Sequence, residues 1–84
     1  MIRREIAFGC AMSMTPDVAA RLSQMAERFQ AKLQLECDGK RVLLDSLIGM
    51  LSVECRSGTM VAVLAEGEDE QAAADALAAA IAGN

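Results

Sequence analysis

Residues 31–37 alternate without a break. Ala31, Leu33, Leu35 and Cys37 are apolar, and Lys32, Gln34 and Glu36 between them are polar. Successive side chains of a strand point to opposite faces, so this run is a strand with one buried face. Asp38-Gly39 follows directly. That pair suits a two-residue turn with both residues at positive φ, the geometry that matches strand twist. Lys40 to Leu44 is then the returning strand. The chain must therefore build an antiparallel sheet with one face to cover, and the remaining segments must supply the cover.

Each remaining segment carries its own local signal. Ile2 to Phe8 reads as a strand with Ile6 and Phe8 on one face. Gly9 to Met14 reads as a loop of small and polar residues with two exposed methionines. Thr15-Pro16-Asp17 is a helix start: a capping hydroxyl, a proline at the first helical position, and a carboxylate at the positive end of the dipole. This helix is expected to run to about Phe29, with Val18, Leu22, Met25, Ala26 and Phe29 on one face. Ser46 is a natural N-cap for a short helix over Leu47 to Val53, with Met50, Leu51 and Val53 in the core. Arg56-Ser57-Gly58-Thr59 is a turn. Met60 to Glu66 is the last strand, with Val61, Val63 and Ala65 inward. Glu68-Asp69-Glu70 opens an alanine-rich helix whose stripe is Ala73, Ala74, Leu77 and Ile81, and Gly83 ends it. Leu43, Ala62 and Leu64 fall on the outer face of the sheet, as a self-association or partner surface or as scattered surface hydrophobicity, and Lys32, Gln34 and Glu36 interrupt them.

The order is thus β-α-β-β-α-β-α, and 84 residues suffice for one domain, 1–84, with one core. The formal charge of −4 argues against nucleic acid and against anionic membranes. Phe8 and Phe29 are the only aromatics, too few for a base-stacking platform. There is no histidine, and Cys10, Cys37 and Cys55 are widely spaced, so no metal site is expected. No cofactor is implied. An odd number of free thiols fits a reducing compartment. The first residues lack the apolar run of a signal peptide. The expected location is the bacterial cytoplasm.

Three runs carry a resemblance to a known family. Leu35-Glu36-Cys37-Asp38-Gly39-Lys40 followed by Val42 resembles the second hairpin of HPr, the phosphocarrier of the bacterial sugar phosphotransferase system. Asp45-Ser46-Leu47-Ile48-Gly49-Met50-Leu51-Ser52 resembles that family's regulatory serine helix. Ala65-Glu66-Gly67-Glu68-Asp69-Glu70 resembles the start of its last helix. The resemblance implies an α+β, HPr-like two-layer open-faced sandwich: a four-stranded antiparallel sheet with three helices on one face.

The first loop departs from the family. HPr proteins carry Gly-hydrophobic-His-Ala-Arg-Pro there, with the histidine accepting phosphate from enzyme I and the arginine steadying it. Here the run is Ser13-Met14-Thr15-Pro16-Asp17-Val18, with Thr15 at the histidine position and Asp17 at the arginine position. A phosphothreonine ester is too stable to hand its phosphoryl group onward, and a carboxylate repels what an arginine would clamp. No catalytic residue is identified, and no histidine relay is expected. In this respect the chain is similar to HPr-like members of the Crh type, which lack the histidine and keep the serine.

The resemblance assigns Ser46 as a regulatory phosphorylation site, with helix capping as the alternative. It assigns Leu47, Ile48 and Gly49 to an exposed partner-docking turn, with core packing as the alternative. Cys10 is a possible substitute phospho-acceptor, against the plainer reading of a small apolar filler; Ser13 and Thr15 are further non-histidine acceptors of that kind. The expected partners are proteins: an HPr kinase or a regulator of carbon catabolite control, and components of the phosphotransferase system. A degenerate domain serving only as an interaction module is the remaining alternative.

Overall fold

The computed structural model describes residues 1–83. Its elements are β1 (Ile2–Ala7), α1 (Pro16–Ala26), β2 (Lys32–Cys37), β3 (Lys40–Leu43), α2 (Leu47–Leu51), β4 (Met60–Glu66) and α3 (Glu70–Ala82). The strands form one antiparallel sheet in the order β1-β4-β2-β3. The element order and the open-faced sheet match the expectation. At the hairpin, Asp38 has φ 52° and Gly39 φ 78°, the pair of positive values that Asp-Gly accommodates.

The inner face of the sheet and the facing sides of the helices share one core. Leu35, Val63 and Ala65 from the sheet, Ala19 and Leu22 from α1, Met50 from α2, and Leu77 and Ile81 from α3 are all buried there. Ala73 and Ala74 of α3 are fully buried as well, so alanine on this helix permits close approach to the sheet.

Three details differ from the sequence reading. First, α1 ends at Ala26, not Phe29. Arg28 and Phe29 donate backbone N–H bonds to Met25 and Ala26, three residues back, which tightens the last turn into a 3₁₀ form. The next two N–H groups, of Gln30 and Ala31, are taken by the Asp69 carboxylate at 2.9 and 2.8 Å. The chain is thereby turned into β2 while Phe29 still packs on the core.

Second, α2 ends at Leu51 rather than Val53, and Leu51 lies outside the core with 42% of its surface exposed. Ser52 closes the helix by donating from both its N–H and its hydroxyl to the Gly49 carbonyl.

Third, Ala62 and Leu64 are not surface hydrophobics. They are 2% and 4% exposed although they lie on the face that carries no helix. Arg3 on β1 and Glu36 on β2 flank β4, and they pair at 2.9 Å across it. Glu36 also accepts from Arg41 on β3 at 2.8 Å. Long side chains laid over a small central residue bury it while their charged ends stay in water.

These carboxylates give the fold a defined acid response. Hydrogen bonds from Arg3 and then Arg41 hold the Glu36 carboxyl down at about 2, from an ordinary 4.5. The backbone N–H of Gln30, then that of Ala31, holds Asp69 below 3.8. The N–H of Gly67 holds Glu70 below 4.5. Carboxyls that bind protons more weakly when folded stabilise the fold above their unfolded pKa, and that stabilisation is lost as pH falls through the folded value. The midpoint of urea unfolding is expected to stay level down to about pH 5 and to fall from there to about pH 2. In Glu36→Gln the lowest part of that fall should be shallower. A midpoint that stays level to pH 2 would contradict this assignment.

Candidate functional site

The first loop is fixed at both ends by backbone bonds. Gly9 and Cys10 donate to the Ile81 carbonyl of α3 at 2.9 and 3.0 Å. Met14 donates to Cys55, and Ser57 donates to Met12, both at 2.9 Å. Ser13 forms a single bridge to Arg56. Segment 55–57 and the end of α3 therefore hold the loop between them.

Thr15 closes the loop as the N-cap of α1. Its backbone is extended, with φ −112° and ψ 166°, and its Oγ1 accepts from the Val18 N–H at 3.3 Å. Pro16 takes the first helical position and Asp17 the first turn, both exposed. The side chains at 15 and 17 are a hydroxyl and a carboxylate at a helix start. Neither is an imidazole or a cation.

Cys10 is partly exposed and packs against the core, as a small apolar filler would. Cys37 and Cys55 are buried, and the Cys37 thiol donates to the Glu54 carbonyl at 3.6 Å. Burial pushes the Cys55 thiol up to about 12, with a hydrogen bond to Cys37 adding to the shift. A buried thiol held neutral in this way is inert as a nucleophile. Among the described residues, no cluster of histidine, cysteine, aspartate and glutamate could hold a metal ion.

The second part of the site is α2. Ser46 caps it, with φ −112° and ψ 109°, and its Oγ accepts from the Gly49 N–H at 3.1 Å. A cap of this kind is worth about 1 kcal/mol. Met50 faces inward and is fully buried. Leu47 and Ile48 face outward at 42% and 83% exposure, so core packing does not explain them. Leu51 follows Leu47 by four residues, one helical turn, and shares its exposure. The sequence reading omitted Leu51 from this patch, although that spacing was the signal for it. Of the two methionines of the first loop, Met12 is exposed, at 85%, whereas Met14 is half-buried and packs against the core.

The sequence model of the family described as "PTS HPr component phosphorylation site" matches residues 2–83. The chain belongs to the HPr family. It is 37% identical over 79 residues to the HPr-like protein Crh of Bacillus subtilis (strain 168), covering 94% of this chain and 93% of that protein. The crystal structure of the phosphocarrier protein HPr of Bacillus anthracis str. Ames is similar with a TM-score of 0.90 at 31% identity, covering 95% of each chain. The crystal structure of Bacillus subtilis Crh, reported as a domain-swapped dimer, is similar with a TM-score of 0.77 at 38% identity. The alignment covers 90% of this chain and 83% of that one.

The HPr family groups phosphocarriers and regulators of the sugar phosphotransferase system rather than catalysts. A member of it that contains no histidine cannot form the phosphohistidine on which the carrier chemistry depends. The family's fold is present here with a short helix capped by Ser46, and a histidine is not.

Proposed function

We propose that this chain is a regulatory HPr-like protein that acts by binding other proteins and is switched by phosphorylation of Ser46. Leu47, Ile48 and Gly49 form the docking turn, and Leu51 extends it. One observation carries the reading: residues 2–83 match the HPr family, yet the chain has no histidine. What such a chain retains is the capped helix with its outward apolar side chains. The similarity to Crh of Bacillus subtilis supports the same assignment. The partners under this reading are an HPr kinase, a regulator of carbon catabolite control and components of the phosphotransferase system, all in the cytoplasm.

The chemistry of the alternative acceptors favours Ser46. A threonine or serine ester at 15 or 13 would be too stable to relay a phosphoryl group, but that stability suits a switch. A seryl phosphate persists until a phosphatase removes it, and it adds nearly two negative charges beside an apolar patch.

Intact mass after incubation with ATP and an HPr kinase tests the proposal. The wild type should gain one phosphoryl group. Ser46→Asn, which keeps an equally good N-cap without a hydroxyl, should gain none. A wild type that gains nothing, or a variant that gains as much, would overturn Ser46 as the switch.

A further inference from the structure

Gly49 sits in the middle of α2 without a backbone reason to be glycine. Its φ is not positive, and alanine is the better residue inside a helix. Its surroundings supply a different reason. A Cβ placed on residue 49 would lie 3.1 Å from Ser46 Oγ, 3.3 Å from Ser46 Cβ and 3.5 Å from Val42 Cβ. The first two distances are tight, and the first is to the atom that would be modified.

We infer that Gly49 is the clearance residue for modification of Ser46: its missing side chain leaves the space beside Oγ that a bound phosphoryl group occupies. In the unmodified protein Oγ already touches the Gly49 N–H at 3.1 Å. On transfer from ATP, the bond from the γ-phosphorus to the ADP oxygen breaks and the bond to Oγ forms. The hydroxyl proton passes to the solvent by way of a base of the kinase, and ADP leaves. Oγ, which already lies 3.1 Å from the Gly49 N–H, then carries a phosphorus with three further oxygens. With alanine at 49 the hydroxyl needs to move only a few tenths of an ångström to relieve the contact, which a serine can do. A phosphoserine, bulkier at the same point, must swing out of the cap altogether.

This inference rests on the Ser46 reading for its biological meaning, but it can be tested without any kinase. Four proteins make a double-mutant cycle: wild type and Gly49→Ala, each with serine or with genetically encoded phosphoserine at position 46. Without the phosphoryl group, Gly49→Ala is expected to change Tm by less than about 3 °C, because gained helix propensity offsets the crowded cap. With it, the same substitution should lower Tm by at least about 5 °C more, or prevent folding. Equal shifts in both backgrounds, within about 1 °C, would overturn the inference. So would a Gly49→Ala protein that fails to fold without the phosphoryl group, since Gly49 would then serve the fold alone. If the kinase leaves the wild type unmodified, the proposed function fails, and the cycle still decides the role of Gly49.

Discussion

Gly67→Val should destabilise the protein by about 2–6 kcal/mol, the sum of two separate costs. The first is conformational. Gly67 has φ +146°, a region closed to residues with a side chain, and forcing one there costs about 1–3 kcal/mol. The second is steric. A Cβ on Gly67 would lie 2.8 Å from the Cα of Ala31 and 3.3 Å from its Cβ. Ala31 cannot retreat, because its N–H is held at 2.8 Å by the side chain of Asp69, whose backbone is fixed at the N-cap position of α3. Overpacking against a fixed neighbour adds about 1–3 kcal/mol. In a domain of this size Tm should fall by roughly 10 °C or more. Gly58→Val supplies the comparison, because Gly58 has φ +92° but no heavy atom within 4 Å of its Cβ position. It should lose only the conformational part. Equal losses at 58 and 67 in urea unfolding would show that the contact with Ala31 contributes nothing.

Thr15→His combined with Asp17→Arg should change a chain that takes no phosphoryl group from phosphoenolpyruvate into one that does. The frame for a histidine is already present. Residue 15 is exposed and extended at the start of an 11-residue helix, and the loop before it is tied to Ile81 and Cys55 by backbone bonds. These ties do not involve the side chains at 15 and 17. Replacing the threonine cap costs about 1 kcal/mol, which the fold can absorb. An imidazole at 15 supplies a nitrogen whose phosphoryl adduct can be passed on, and a guanidinium at 17 supplies a paired donor where a carboxylate now repels. With phosphoenolpyruvate and enzyme I, the double variant should gain one acid-labile phosphoryl group. Thr15→His alone should gain it more slowly, and the wild type not at all. A folded double variant that gains nothing would mean that more of the loop has diverged than these two positions, with Pro16 between them the first residue to examine.

Much of this was readable from the sequence because the signals are local. Thr15-Pro16-Asp17 marks the start of α1, Asp38-Gly39 marks the hairpin, and the alternation from Ala31 to Cys37 gives the strand between them. The missing histidine is plain from the sequence alone, as is the capping serine at 46. What was missed depends on contacts between residues far apart. The end of α1 is set partly by Asp69, a residue 39 positions after Gln30, while the apolar periodicity continues smoothly through to Phe29. Burial of Ala62 and Leu64 requires the strand order, which places Arg3 and Glu36 on either side of β4. Leu51 reads as core alongside Met50 and Val53, which are buried; only the brevity of α2 shows that it turns outward with Leu47. The crowding of Ser46 Oγ by a side chain at 49 is a matter of tenths of an ångström, and no sequence pattern encodes it.

The most direct measurement divides one preparation of the wild-type protein between two phosphoryl donors and weighs both halves intact. One half receives ATP and an HPr kinase; the other receives phosphoenolpyruvate and enzyme I. A serine-switched binding protein without a carrier histidine gains one phosphoryl group in the first half and none in the second. A gain in the second half would contradict the account, because it would show that a chain with no histidine still receives the phosphoryl group of the relay.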